Sequence, residues 1–133
     1  MSIERLTNCE ELVMKIIWDA DGEELCLMDV MDRVNSKYKK NWKPQTVSTF
    51  LARLVRKKYI QSHRNGRQFF YTVMIPLKTY IGHITNEYVN FWNHGNADEF
   101  LYALSGQRKL RADEIRKINQ LLKMQCGDEK KNR

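Results

Sequence analysis

A change of hydrophobic period near residue 58 constrains the fold more than any other feature of this sequence. From Pro44 to Lys58 the apolar residues recur at the 3.6-residue spacing of a helix, and Pro44 suits the first helical position. The residues that follow, 59–73, are rich in strand-forming types on both sides of an Asn65-Gly66 pair. The sequence therefore predicts a helix followed directly by a β-hairpin.

The stretch "RNGRQFFYT", residues 64 to 72, also predicts the register of this hairpin. An Asn-Gly pair suits a type I′ turn, which needs positive φ at both central positions. If the two arginines beside this pair flank a two-residue turn, Ser62 pairs with Phe69 and Ile60 with Tyr71. That pairing gives the hairpin one coherent apolar face and places the arginines at its tip.

Two further amphipathic segments precede the helix at 44–58. The first has one apolar stripe, Thr7 or Asn8 as its N-cap and an end near Asp21-Gly22; its stripe comprises Leu12, Val13, Ile16 and Ile17. The second is about three turns long before the polar "NSKYKKNWK" breaks it, and its stripe comprises Leu27, Val30, Met31 and Val34. Three helices and a hairpin in this order are the plan of a winged helix-turn-helix, whose third helix enters the major groove of DNA. The predicted fold class is therefore mainly α with a small antiparallel β-hairpin.

The rest of the chain reads as a separate helical region. We expect a winged-helix DNA-binding domain at 1–75, a helical dimerisation domain at 76–126 and a disordered tail at 127–133. Three short amphipathic helices bury little by themselves, so pairing with a second chain is favoured over packing back on the first domain. The apolar stripes that would form this interface comprise Tyr80, Ile84, Tyr88, Phe91, Phe100, Leu101, Leu104, Ile115, Ile118 and Leu122.

The positive charge is concentrated in the middle of the chain. Residues 1–32 carry two basic and nine acidic side chains, residues 33–86 carry twelve basic and no acidic ones, and residues 87–133 carry nine and seven. A solvated helix face usually mixes Glu with Lys, whereas this window contains no acid at all. Nucleic acid, or another polyanion, is therefore favoured as the partner of the middle segment.

The residues expected to contact double-stranded DNA divide by their chemistry. Candidates for base edges are Gln45, Thr46, Ser48, Thr49 and Arg53, because Gln suits adenine, Arg suits guanine and a Thr methyl suits thymine. Candidates for phosphates are Lys39, Lys40, Lys43, Arg64 and Arg67, with Lys57 or Lys58 as additions. For Thr46 and Ser48, helix capping or a neutral exposed position fits as well as a base contact.

No signature of catalysis or of a metal or cofactor site is present, and we expect neither an enzyme nor a cofactor. The three cysteines and three histidines lack metal-ligand spacing, and there is no phosphate-binding glycine loop, nucleophile elbow or HExxH motif. No apolar run approaches the roughly 20 residues of a membrane span, and the N-terminus lacks the apolar core of a signal peptide. These features predict a cytoplasmic protein without membrane insertion.

Four segments resemble the penicillinase-repressor family, the bacterial β-lactamase and methicillin-resistance repressors with their copper-responsive relatives. They are "LTNCEELVMKIIW", "WKPQTVSTFLARLVRKKYI", "RNGRQFFYT" and "LRADEIRKINQLL", in the family's order and spacing. The resemblance implies a homodimeric winged-helix repressor of transcription that binds a palindromic operator, dimerises through its C-terminal helices and is linked to antibiotic resistance. It also implies that 44–58 is the recognition helix and 64–67 the wing tip.

The same resemblance implies candidates for the inducing step. In the β-lactam-responsive members, a protease activated by a membrane sensor cuts an Asn-Phe bond in the dimerisation region, and the nearest position here is Ala103-Leu104. The bond itself is not preserved, so a proteolytic switch would act at a different bond. Copper-responsive members carry paired CxC motifs near the C-terminus, where this chain has only Cys126, which disfavours copper sensing.

Two alternatives to the repressor reading use the same basic face. A winged helix can serve as a protein-interaction module, in which case the face would dock an acidic protein partner. An RNA-binding wing would instead prefer single strands over duplex.

Overall fold

The computed structural model describes the backbone of residues 2–131 and the side chains through residue 127. The chain divides into two compact units, with the boundary between Asn86 and Glu87. The elements of the first unit are α1 (Asn8–Asp19), β1 (Leu25–Cys26), α2 (Leu27–Tyr38), α3 (Pro44–Arg56), β2 (Ile60–Asn65) and β3 (Gln68–Val73). Helix α4 (Leu77–Trp92) crosses the boundary, and the second unit continues with α5 (Ala97–Gln107) and α6 (Ala112–Lys131). The three helices and antiparallel sheet of the first unit form the predicted winged helix.

Reciprocal capping fixes the start of α1. The backbone N–H of Glu10 donates to Thr7 Oγ1 at 3.3 Å, and the Thr7 N–H donates to Glu10 Oε1 at 2.9 Å. This capping box satisfies two N–H groups that the first helical turn leaves unpaired. Thr7, one of the two predicted N-caps, is therefore the N-cap, and the helix ends at Asp19, before the positive φ values of Asp21 and Gly22.

Two local features differ from the sequence prediction. Helix α2 extends four residues into the polar stretch 35–43 that was expected to break it, and it ends at Tyr38 within that stretch, because Lys39 adopts the left-handed conformation with φ 54° and ψ 43°. The sheet also has a third strand, β1, which pairs through Leu25 with Tyr71 and through Cys26 with Phe70. Two residues are too short to show a period of two, so only the contact with β3 defines this strand.

The register predicted for the hairpin is wrong by one position in the turn. Ser62 pairs with Tyr71 rather than Phe69, and Asn65 pairs with Gln68, so Gly66 and Arg67 are the central turn residues. Of these two only Gly66 has a positive φ, 68°, which is the pattern of a type II′ turn. A shift of the turn by one position moves the partner of each β2 residue by two residues along β3. Each side chain then stays on the same face of the sheet, so the alternation of apolar and polar residues could not distinguish the two registers.

The core of the first unit collects side chains from every helix and from β1 and β2. Its fully buried members include Val13, Met14, Leu25, Val30, Val34, Val47, Leu51, Leu54, Tyr59 and Ile60. Two tryptophans pack against this core: the ring centroid of Trp42 lies 5.0 Å from that of Phe50, and Trp18 Nε1 donates to the Ile75 carbonyl at 3.0 Å. This core holds α3 with one face inward and the other outward.

Tyr80 belongs to that core and not to an exposed stripe, which corrects its expected place in a dimer interface. Its ring centroid lies 5.4 Å from Trp18 and 5.7 Å from Tyr59, its hydroxyl donates to Glu11 Oε2, and only 4% of the residue is exposed. Ile84, one turn later in α4, also packs against the core cluster. The sequence identified the apolar stripe of α4 correctly, but the first residues of this stripe pack against the core of the same chain.

The second unit leaves much of its apolar surface uncovered. Among its exposed large side chains are Tyr88, Phe91, Trp92, Leu101, Ile115, Leu121 and Leu122. At the start of α6, Arg108 forms two hydrogen bonds with Glu114, and this pair together with the Arg111 N–H lowers the pKa of Glu114 to about 2. The tail predicted as disordered, 127–133, overlaps α6 as far as Lys131, and residues 132–133 lie outside the described part.

Candidate nucleic-acid interface

Burial of one face of α3 determines which of its side chains point outward. Val47, Leu51 and Leu54 are at most 1% exposed. The opposite face is therefore solvent-facing, and its exposed residues are Gln45, Ser48, Thr49, Ala52, Arg53 and Arg56. Thr46 is half-buried at the first turn, so of the predicted base-contacting residues it is the least accessible.

The turn between α2 and α3 is held by a single side chain. Asn35 Nδ2 donates to the Trp42 carbonyl at 3.0 Å, and the Trp42 N–H donates to Asn35 Oδ1 at 2.9 Å. These two bonds satisfy the backbone N–H and carbonyl of Trp42 in place of backbone partners. They therefore fix the position of the next residue, Lys43, which is the N-cap of α3. Lys43 is thereby placed at the positive end of the α3 dipole, where an anion such as phosphate is stabilised.

Two residues on the outer face of α3 have defined contacts. Thr49 Oγ1 donates to the Gln45 carbonyl at 3.0 Å, so its hydroxyl proton is used within the helix, and its methyl group and the acceptor lone pairs of the oxygen remain for a ligand. The guanidinium carbon of Arg53 lies 5.9 Å from the centre of the Phe50 ring. That cation–π contact restrains the Arg53 side chain without neutralising its charge.

The two arginines of the wing, which is the β2–β3 hairpin, differ in how firmly their side chains are held. Arg64 Nε donates to the Gly66 carbonyl at 3.0 Å, and its guanidinium carbon lies 5.9 Å from the centre of the Phe69 ring. Arg67 lies in the turn itself and is exposed, and no hydrogen bond or ion pair of its side chain occurs within the described residues. Both predicted arginines are therefore at the tip, with Arg64 fixed by its neighbours and Arg67 open to solvent.

The arginines of α3 and the wing have no carboxylate partners among residues 2–127, although His63 of β2 lies 3.1 Å from Glu24, whereas several Lys and Arg side chains elsewhere are paired. Lys37 lies 2.9 Å from Asp19, and Arg33 lies 3.1 Å from Glu23. The exposed basic residues without an ion pair include Lys39, Lys40, Lys43, Arg53, Arg56, Lys58, Arg64 and Arg67. Uncompensated charge on one set of adjacent elements produces a positive potential that attracts a polyanion.

Of the two alternatives Lys57 and Lys58, only Lys58 is available to a phosphate. Lys57 Nζ lies 2.6 Å from Glu10 Oε1 and 3.0 Å from the Arg5 carbonyl, with 8% of its side chain exposed. Burial would raise the pKa of Glu10, but hydrogen bonds and charge from Lys57, with the Thr7 N–H, hold the pKa below its ordinary value. Lys57 is a structural residue, a role that the charge pattern alone could not show.

Arg56 extends the predicted site beyond the residues selected from the sequence, and Lys58 joins it as the accessible one of the two predicted alternatives. Arg56 is exposed on the last turn of α3, and Lys58 follows the helix with a φ of 68°. Helical spacing from Arg53 could have indicated Arg56, whereas the left-handed backbone of Lys58 has no signal in the sequence. Both residues add charge next to the predicted phosphate contacts.

Among residues 2–127, no group of three or more His, Cys, Asp or Glu side chains could hold a metal ion. No helix in the described part of the chain is both long and apolar enough to cross a membrane.

Comparison with known proteins agrees with this arrangement. The penicillinase repressor family matches the chain over residues 6–124. The penicillinase repressor of Bacillus licheniformis is 28% identical over 131 residues, which are 98% of this chain and 95% of that protein. The solved DNA-binding domain of the repressor BlaI is 30% identical, with a TM-score of 0.50 over 59% of this chain and 92% of that domain. The resemblance seen in the sequence is confirmed, and the chain belongs to the penicillinase repressor family.

Proposed function

We propose that this protein is a DNA-binding repressor of transcription that places α3 in the major groove and the wing along the sugar–phosphate backbone. The observation that carries this proposal is the uncompensated positive charge of α3 and the wing, beside an outer helix face of small polar side chains. Family membership and the similarity to the BlaI domain support it. A helix that presents Gln, Ser, Thr and Arg can read base edges that a purely cationic helix cannot.

The contacts divide between positioning and sequence recognition. Lys43, Lys58, Arg64 and Arg67 bind phosphates and set the register on the duplex. Gln45, Ser48 and Arg53 read base edges, and Thr49 contributes its methyl group, because its hydroxyl proton is donated to the helix backbone and is not available to a base. Thr46, half-buried in the first turn, contributes at most a backbone or hydroxyl contact to a phosphate.

The protein acts as a homodimer on a palindromic operator in the cytoplasm. The interface comprises the exposed or half-exposed apolar side chains from Tyr88 onward: Tyr88, Phe91, Phe100, Leu101, Leu104, Ile115, Ile118 and Leu122. Phe91 is 74% exposed and Tyr88 is 52% exposed, a degree that is unfavourable for such large rings unless a second chain covers them. Two-fold symmetry would give the two recognition helices a fixed spacing along the DNA.

Repression is relieved by a signal that disrupts this interface, and cleavage near Ala103-Leu104 by a sensor protease is one such step. This bond lies inside α5, so a protease must first unfold part of that helix. No side-chain hydrogen bond from Asn96 caps the start of α5, which lowers the cost of such opening. Cutting there would separate α6 from the first part of the dimerisation region.

Titration of the full chain against duplex DNA from its own upstream promoter tests the proposal. Arg53→Ala and Thr49→Ala should change sequence preference, whereas Arg67→Ala should weaken all duplexes about equally and reduce the salt slope by about 1. Wild-type binding that shows no preference over a scrambled duplex would refute the repressor function. Binding to an acidic protein in place of DNA would favour the interaction-module alternative.

Sedimentation measurements test the dimer separately. Phe91→Asp places a charge in the proposed interface, and we expect monomers at concentrations where the wild type is dimeric. Thr79→Asp, which also adds one negative charge at an exposed position near the start of α4 in the first unit, serves as the charge-matched control and should remain dimeric. A Phe91→Asp variant that dimerises like the wild type would place the interface elsewhere.

A further inference from the structure

A slot separates the outer face of α3 from the wing. Its volume is about 330 Å³, and it is lined by Ser48, Ala52 and Val55 of α3 and by Ser62, Phe69 and Tyr71 of the sheet. Ala52 and Ser48 are the small side chains that keep the slot open on the helix side. Both walls belong to the two elements that carry the uncompensated positive charge.

Phe69 is the most unusual member of this slot. It is 52% exposed, whereas the other two aromatic residues of β3, Phe70 and Tyr71, are half-buried, with Phe70 stacked on the His63 ring at 6.2 Å. The guanidinium group of Arg64 lies over one part of the Phe69 ring and restrains its position. A large aromatic side chain is therefore held in place beside the recognition helix with much of its surface facing solvent.

The chemistry of the slot differs from that of the surrounding basic surface. Its interior is apolar, through the ring of Phe69 and the aliphatic groups of Ala52 and Val55. Hydroxyl groups lie on both walls, Ser48 on the helix and Ser62 on β2. A deoxyribose ring presents a C–H edge that suits the apolar interior, and the phosphates on either side of it accept hydrogen bonds from hydroxyl and guanidinium groups.

We propose that this slot holds the sugar–phosphate backbone of one DNA strand and that Phe69 packs against a deoxyribose as a non-ionic anchor. The inference rests on the proposed DNA-binding function and adds a contact of a different physical kind. Phosphate contacts release counterions and weaken as salt rises. Apolar packing releases no counterions, so the contribution of Phe69 is independent of salt and of base sequence.

The test compares Phe69→Ala with two variants in the full chain, by measuring the dissociation constant for the promoter duplex and a scrambled duplex at several salt concentrations. Phe69→Ala should weaken both duplexes about tenfold at every salt concentration, which corresponds to about 1.4 kcal/mol, with an unchanged salt slope. Arg67→Ala should instead reduce the slope by about 1. Val73→Ala, on the same strand and 37% exposed but outside the slot, should change affinity less than twofold.

The outcomes separate the inference from the function on which it rests. Wild-type protein that fails to prefer its promoter duplex refutes the repressor function. If the wild type binds as proposed, a Phe69→Ala loss below twofold, a changed salt slope or a loss confined to the promoter sequence overturns the role assigned to Phe69. Phe69→Leu keeps an apolar side chain and should recover part of the lost affinity. Equal melting temperatures of the wild type and Phe69→Ala exclude misfolding as the cause of the affinity loss.

Discussion

Replacing Lys57 with methionine tests most directly whether this lysine stabilises the fold and does not contact DNA. Methionine keeps the unbranched shape of the side chain but removes the ammonium group that lies 2.6 Å from Glu10. Glu10 remains 1% exposed, with the Thr7 N–H as its other hydrogen-bond donor. The substitution therefore leaves a buried carboxylate without its countercharge.

The expected cost is large because the group left behind is charged. Removing one partner of a buried ion pair typically destabilises a protein by about 3–5 kcal/mol. We expect about 3 kcal/mol here, since the Thr7 N–H still satisfies part of the carboxylate. In the double variant Lys57→Met, Glu10→Gln no charge is buried and the amide oxygen can still accept from Thr7, so the loss should fall below about 1.5 kcal/mol.

The dependence on pH has a definite sign. In the wild type the folded-state pKa of Glu10 lies below its ordinary value of 4.5, so the pair stabilises the fold above that pH and its contribution is lost as the pH falls below it. In Lys57→Met, burial still raises the pKa of Glu10 and only the Thr7 hydrogen bonds oppose it, so this pKa should rise and protonation should relieve part of the penalty. The difference in free energy of unfolding between the wild type and Lys57→Met should therefore be larger at pH 7 than at pH 4.

Urea unfolding followed by tryptophan fluorescence measures these differences, since Trp18 and Trp42 both lie in the first unit. A Trp92→Phe background removes the signal of the second unit. If Lys57→Met costs less than about 1 kcal/mol, or if the double variant equals the sum of the two single variants, the pair does not stabilise the fold as argued. A reduced salt slope of DNA binding in folded Lys57→Met would also contradict the structural role, because a buried lysine neutralises no phosphate.

Three further predictions concern local features of the two units. Asn35→Ala removes both bonds to Trp42 and should cost about 1–3 kcal/mol in urea unfolding and weaken DNA binding without changing its salt slope. Lys58→Gly relieves a positive φ and should raise the melting temperature by an amount equivalent to roughly 0.5–1 kcal/mol, while its lost charge lowers DNA affinity. NMR titration should give Glu114 a pKa of about 2, so its contribution to the start of α6 is present above 4.5 and lost as the pH falls toward 2; Arg108→Gln should raise that pKa.

Periodic features of the fold could be predicted from the sequence because they depend on spacing along one segment. The inward face of α3 follows from apolar residues at helical spacing, and a cap at Thr7 or Asn8 follows from an acidic residue three positions after each, of which the structure uses Thr7 with Glu10. The hairpin register could not be derived in the same way. Two turns centred one residue apart give the same faces, and only the observed pairing of Asn65 with Gln68 distinguishes them.

Residue roles that depend on contacts distant in the sequence were beyond such reasoning. Tyr80 has the same spacing as the exposed residues after it in α4, yet it packs against Trp18 and Tyr59. Lys57 has the same charge as Lys58, yet Glu10, 47 positions earlier, holds it in the interior. The slot that contains Phe69 exists only because a helix and a strand lie side by side.

By itself the sequence determined the order of the helices and the hairpin, the inward face of α3, the acid-free segment 33–86 and the family resemblance. These features are local or compositional, so each can be recognised without knowing which distant residues meet. Only the tertiary structure decided which cations are free, which aromatic residues are buried and how the hairpin is paired. Burial and ion pairing depend on the positions of residues far apart in the chain, and folding alone brings those residues together.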